Sequence, residues 1–276
     1  MVRENKAICI LGSGRCGTSM VSRAINLMGV DVGSHLYPAD RTNPKGYWEN
    51  SRIVKIHEKM FKIAGNNIHQ PLWWQQKGYS HLKEELKEYI TSEYLDKGVW
   101  GWKDPRTCHF IELWSEVLKE LGVTPHFVIM VRNPVDIVHS FKKAYNFEEI
   151  SALKLWQQRT LLSLKKTKGY KRIIFDYNQF LDNSLECLKT ISKAFNLKIN
   201  KNENELKKQL SNFIDPSLQH SRVSLERLLK DPNIDDDIKE LYNLCYKACH
   251  SKEFFKSDIF SNKIDLLYRS FFNELT

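Results

Sequence analysis
The chain has no long hydrophobic run. Nowhere do its 276 residues approach the ~18 consecutive apolar residues of a membrane span. Met1 to Lys6 lead into only five apolar residues, Ala7 to Leu11, before a glycine, too few for a signal-peptide core. The expectation is a soluble, cytoplasmic protein that no signal peptide exports. The six cysteines, Cys9, Cys16, Cys108, Cys187, Cys245 and Cys249, form no C-x-x-C pair and are scattered, which argues for reduced thiols. Cys245, Cys249 and His250 fall within six residues without a distant partner pair, so no metal site is expected. There is no internal repeat. Apart from the lysine-rich stretch at 165–172, read as a solvated basic face, no block of like charges occurs.

What is present fits one large domain with ample core, since 42% of the residues are apolar and 12% aromatic. Lys and Arg total 42 against 33 Asp and Glu, a net charge of +9, which favours an anionic partner. Without a nucleic-acid motif or a clustered basic stripe, nucleic acid is not expected to be that partner. Short apolar runs alternate with longer amphipathic stretches, the signature of a parallel sheet flanked by helices. Strands are predicted at about 7–11, 99–102, 126–131 and 171–176. After residue 17, Val21, Ala24, Ile25 and Met28 recur with helical spacing until Gly29 closes the turn. Further helices are predicted at about 81–90, 108–121, 135–145, 148–167, 183–195, 222–230, 234–250 and 257–273. Residues 30–50 read as a long loop and 196–210 as a surface connection. The predicted fold class is α/β, a P-loop-like three-layer fold whose central parallel sheet is flanked by helices. Residues of about 1–195 are expected to form the α/β core of a single domain, and about 196–276 a mainly helical C-terminal cap.

Directly after the first strand stands Gly12-Ser13-Gly14-Arg15-Cys16-Gly17-Thr18-Ser19. Its glycines let backbone N–H groups approach an anion, and the following helix adds the positive end of its dipole. Gly12 and Gly17 have the spacing of the P-loop G-x-x-x-x-G-K-[ST], but Thr18 occupies the lysine position. The cation is Arg15 instead. In an open parallel sheet ligands bind beyond the carboxyl ends of the strands. The other three strands are followed there by Trp102-Lys103-Asp104-Pro105-Arg106, by Arg132-Asn133-Pro134 with Ser140 in the next helix, and by Asp176-Tyr177-Asn178.

These segments resemble the sulfotransferases that use 3'-phosphoadenosine 5'-phosphosulfate (PAPS) and release 3'-phosphoadenosine 5'-phosphate (PAP), over nearly the whole chain. Residues 12–19 look like that family's 5'-phosphosulfate loop, and Phe127 to Ser140 like its 3'-phosphate motif. Asn43 to Asn50 (NPKGYWEN), Trp102 to Arg106 (WKDPR) and Phe213 to His220 (FIDPSLQH) are similar to segments of a bacterial-type branch. Tyr177-Asn178-Gln179-Phe180 is similar to the family's Tyr-Glu-Asp-Leu with both acids replaced by amides. Where small-molecule sulfotransferases of animals carry an aromatic residue that stacks on adenine, this chain has Met20. The 213–222 segment, including Arg222, is then expected to hold the base.

The resemblance implies a sulfotransferase that moves the sulfuryl group from PAPS to a hydroxyl, or an amine, of a small-molecule, saccharide or lipid-like acceptor, without a metal. Residues 15–19 would surround the 5'-phosphate, Arg132 and Ser140 the 3'-phosphate, with Tyr177 beside them. Arg15 would stabilise the leaving oxygen and Lys103 grip the sulfuryl oxygens. Glu49 is the first choice for the general base, ahead of Asp104, whose cationic neighbours lower its pKa, and of His57 and His109. Trp48, Trp73, Trp74 and Trp102 either line an acceptor pocket or pack the core. The residues alone leave open a P-loop nucleotide kinase or NTPase, and a non-catalytic nucleotide-binding module. They set no oligomeric state.

Overall fold
The computed structural model describes residues 5–199, 201–219 and 221–273. Four strands, β1 (Lys6–Leu11), β2 (Val99–Lys103), β3 (Thr124–Val131) and β4 (Lys171–Asp176), form one parallel sheet in the order β2-β1-β3-β4. The predicted strands agree to within two residues at each end. β1 is buried along its whole length, which explains why it reads as a continuous apolar run. Ile10 pairs with Lys103, Leu11 with Ile129 and Val131 with Asp176, so the four strands end nearly level. The polar segment after each strand therefore opens onto one edge of the sheet.

The helices are α1 (Thr18–Met28), α2 (Ser51–Ala64), α3 (Ser80–Tyr94), α4 (Ile111–Glu120), α5 (Pro134–Tyr145), α6 (Glu149–Lys166) and α7 (Tyr177–Asp182). They continue with α8 (Ser184–Phe195), α9 (Glu203–Phe213), α10 (Leu225–Lys230), α11 (Asp236–His250), α12 (Lys252–Lys256) and α13 (Asp258–Asn273). α2 was not predicted. Ile53, Ile56, His57, Met60 and Ala64 are buried at helical spacing, but a histidine inside that stripe and the charges around it hide the pattern. Asn50 caps this helix, its Oδ1 accepting the N–H groups of Arg52 and Ile53. The expected surface connection at 196–210 gives way to α9, which buries only Leu206 and Leu210 and is otherwise polar. The predicted helix at 108–121 divides into a 3-10 turn at Pro105–His109 followed by α4.

A continuous core runs from Ala7 to Phe271 and draws on strands and C-terminal helices alike. Trp73, Trp74 and Trp102 belong to it, with Trp102 stacked on Trp114 at 4.1 Å between centroids. That settles these three as core packing rather than acceptor-pocket lining. Truncating such a ring to alanine costs roughly 3–5 kcal/mol. The 165–172 stretch is less solvated than predicted: Lys166 reaches the His109 carbonyl and Glu112, and the half-buried Arg172 donates to the Leu164 carbonyl. Among the described residues no helix is long and apolar enough to cross a membrane.

Candidate active site
The carboxyl edge of the sheet opens into a cavity of about 1170 Å³. β1 delivers the loop 12–17 to its floor. Gly12 has φ 148° and a Cβ there would meet the Met130 carbonyl oxygen at 2.6 Å, so only glycine fits between the strands. Gly17, at φ 84°, would place a Cβ 2.6 Å from the Tyr177 ring. This glycine is the N-cap of α1, which has no side-chain cap and no acid in its first turn. The leading N–H groups of α1 are thus left for an anion.

Arg15 also has a positive φ, 69°, and turns its side chain across the cavity floor. Its Nε donates to Ser140 Oγ at 2.9 Å, and its Nη1 to the Thr42 carbonyl at 3.1 Å. Arg132, which follows β3, donates to the Arg15 carbonyl at 3.1 Å and stacks over the Tyr177 ring at 4.1 Å. Its Nε is buried with no partner among the described residues. Arg15, Arg132, Ser140 and Tyr177, separated by up to 162 positions in sequence, therefore meet in one cluster.

Next to it, Lys103 at the end of β2 is buried and makes an ion pair with Glu49 at 2.5 Å. It also donates to the Tyr47 carbonyl at 3.3 Å and to Ser19 Oγ at 3.4 Å. Lys103 thereby joins the first turn of α1 to the loop carrying Glu49. Of the four candidate bases only Glu49 lines the cavity. Asp104 lies beneath the floor, its carboxylate taken up by His57 Nδ1 at 2.8 Å and by Arg106. Burial would push its carboxyl up, but the His57 hydrogen bond and the Arg106 guanidinium outweigh this and hold it well below the usual carboxylate range. His57 Nε2 accepts the Trp114 indole N–H at 2.8 Å, which leaves the proton on Nδ1 and the ring with no free nitrogen. Burial first, then the Arg159 cation, push His109 down to about 3, and its ring packs on Phe61 away from the cavity. None of these three lines the cavity.

Other expectations need revision. Gly12, Ser13 and Cys16 shape the loop from below and do not face the cavity, whereas Gly14, Arg15, Gly17, Thr18 and Ser19 do. Burial pushes the Cys16 thiol up to about 12, so it stays protonated. Arg222 points away and pairs with Asp182 at 2.7 Å. Trp48 packs against Phe213 and Arg23 rather than lining the cavity. From the 213–221 strap Phe213, Ile214, Asp215, Leu218 and Ser221 do line the cavity, as does Met20. Asp136 fastens this strap by accepting from Ser221 Oγ and the Val223 N–H, and Asn133 donates to the Val223 carbonyl. His220, in the same segment, lies outside the described residues. Sequence reasoning missed Arg159 of α6, which lines the cavity beyond Gly14.

No family model and no curated protein matches the chain. Solved structures do. The crystal structure of the sulfotransferase STF9 from Mycobacterium avium matches with a TM-score of 0.50 at 12% identity, over 87% of this chain and 75% of that one. The sulfotransferase domain of the Synechococcus olefin synthase matches with a TM-score of 0.49 at 14% identity, over 87% of this chain and 94% of the domain. A mouse sulfotransferase solved with PAP matches with a TM-score of 0.41 at 14% identity, over 94% and 88% of the two chains. At such identities the likeness to STF9 is one of fold. The chain has the α/β fold seen in that sulfotransferase, with a central parallel sheet flanked by helices.

Proposed function
We propose that the protein is a PAPS-dependent sulfotransferase, one domain in which the helical C-terminal third caps a nucleotide-binding core. The observation that carries this reading is the meeting of two anion cradles in one cavity. The uncapped start of α1 lies at the end of β1, and Arg132 with Ser140 at the end of the adjacent β3. Two phosphate positions on one ribose need two such cradles. The buried, unpartnered Nε of Arg132 and the open N–H groups of α1 fit that demand. The cavity also exceeds the roughly 300–1,000 Å³ of ordinary small-molecule sites, room for a donor and an acceptor together.

When bound, PAPS supplies a sulfuryl group carried on a phosphate leaving group. In this reading the N–H groups of Arg15, Gly17, Thr18 and Ser19 and the Thr18 and Ser19 hydroxyls hold the 5'-phosphate. Arg132 and Ser140 hold the 3'-phosphate, while Met20, Phe213, Ile214 and Leu218 enclose the base. Arg15 faces the oxygen on which negative charge grows, and Lys103 steadies the sulfuryl oxygens. Glu49 takes the acceptor's hydroxyl proton as the new S–O bond forms. The electron pair of the broken S–O bond departs with the phosphate oxygen. Arg15, Lys103 and Glu49 are thus the catalytic residues, and Asp104 keeps a positioning role through Arg106 and His57.

The test is PAP release from sulfur-labelled PAPS in the presence of a panel of hydroxyl acceptors and a chelator. Acceptor-dependent PAP release with label on the acceptor supports the reading. Magnesium-dependent ATP hydrolysis without it would point to a nucleotide kinase or NTPase instead.

A further inference from the structure
The described lining of the cavity carries eight Arg and Lys side chains against three acids. Two electrostatic neighbourhoods can be told apart within it. Arg132, Arg15 and Asp136 act on Tyr177 on the β3 side, the proposed donor cradle. On the β2 side Arg159 enters the cavity from α6, whose Lys166 bonds the His109 carbonyl in the turn after β2, and it shares the lining with Lys103, Arg106 and Glu49. In that second neighbourhood Lys103 is neutralised by Glu49, and Arg106 by Asp104 and Glu58.

Arg159 is not neutralised. Among the described residues its guanidinium has no ion pair and no hydrogen-bond partner, and its Nε is fully shielded from solvent. It projects from α6 beside the loop tip, where a methyl group placed on Gly14 would lie 3.9 Å from Nη1. Phe141 closes the other side, 3.0 Å from that same methyl position. Burial draws the guanidinium below its ordinary pKa, and the nearby Cys108, Asp104 and Glu49, none of which pairs with it, offset this only in part. The residue is half-buried, and leaving its shielded end without a partner is costly to the fold. A ligand that brings an anion removes that cost on binding, and in the reading above the donor's phosphates are held by the α1 N–H groups and by Arg132.

We infer that Arg159 is an acceptor-binding residue and that the acceptor is an anionic alcohol, bearing a carboxylate or phosphate beside the hydroxyl presented to Glu49. The inference rests on the sulfotransferase reading above. Arg159 forms a charge-assisted pair with that anion, holds the acceptor in one orientation and rejects neutral alcohols, because these would leave the guanidinium unpaired.

The test is calorimetric. Matched small probes, hydroxy-carboxylates and hydroxyalkyl phosphates against their neutral amides and esters, are titrated into the protein both unloaded and loaded with PAP. In the wild type at least one anionic probe should bind about tenfold or more tightly than its neutral counterpart. In Arg159→Gln the preference should fall to within about twofold, with PAP affinity unchanged, and Arg159→Lys should retain part of it because the charge remains. No charge preference in any pair, or one that survives in Arg159→Gln, would overturn the inference. So would a large loss of PAP affinity in Arg159→Gln, which would assign Arg159 to the donor cradle. If the wild type fails to bind PAP at all, the sulfotransferase reading falls, whereas the probe preference of the unloaded protein is still measured separately.

Discussion

Lys103 Nζ lies 2.5 Å from Glu49 Oε1, although the two residues are 54 positions apart and reach the cavity from different elements. β2 supplies the cation, and the loop leading into α2 supplies the acid. The pair holds the carboxylate at the cavity surface while Asp104, one residue from Lys103, is locked beneath the floor. Glu49→Gln keeps the shape of the site and removes proton acceptance. In steady-state assays kcat should therefore fall by about 10²- to 10⁴-fold, with the PAP dissociation constant nearly unchanged. A normal kcat would remove Glu49 from the base role.

Asp104→Asn should behave differently. It weakens the bonds to His57 and Arg106 and so should lower the melting temperature, with any activity loss tracking the loss of fold. Calorimetric melting beside kcat separates the two variants. A selective kcat loss in Asp104→Asn at unchanged stability would restore Asp104 as a catalytic candidate.

The two arginines should fail in distinct ways. Arg132→Ala removes a contact made before and during transfer and should chiefly raise KM for PAPS. Arg15→Ala removes stabilisation of charge that grows during bond breaking and should chiefly lower kcat. Because Arg132 donates to the Arg15 carbonyl and Arg15 to Ser140, a double-mutant cycle should be non-additive. A change in KM alone for Arg15→Ala would contradict its assigned role.

His109 should make the fold acid-labile. Its folded pKa is pushed down to about 3 from an ordinary 6.5, so the unfolded chain binds the proton first as pH falls. Its neutral ring costs nothing above pH 6.5. Between 6.5 and about 3 it should cost the folded state up to about 1.4 kcal/mol per pH unit. Denaturant melts of the wild type and of His109→Phe across that window should diverge as pH falls, the variant losing less. Parallel curves would contradict this.

The legible part of the site was the part coded locally. The glycine loop after β1, Arg132 after β3 and Ser140 in α5 each follow a recognisable strand, and the level strand ends bring them together. Glu49 was chosen by resemblance, and its partner Lys103 by its place after β2. Arg159 could not be read this way. It lies in the middle of an amphipathic helix, and its meaning depends on α6 bringing it beside Gly14, a tertiary event with no local signal. His57 was obscure for the same reason, since a buried pair with Asp104 forms only once α2 and the turn after β2 meet. Trp73, Trp74 and Trp102 illustrate the converse: aromatic composition near a site does not say which way the rings face.

The most direct measurement is the affinity for PAP compared with 5'-AMP and ATP, by calorimetry on the wild type and on Arg132→Ala. One charged hydrogen-bonded contact is worth about 1.5–3 kcal/mol. Recognition of the 3'-phosphate by Arg132 and Ser140 should therefore make PAP bind at least about tenfold more tightly than AMP, and Arg132→Ala should erase most of that margin. Equal affinity for PAP and AMP, or tighter binding of ATP, would contradict the assignment of the two cradles and with it the sulfotransferase reading.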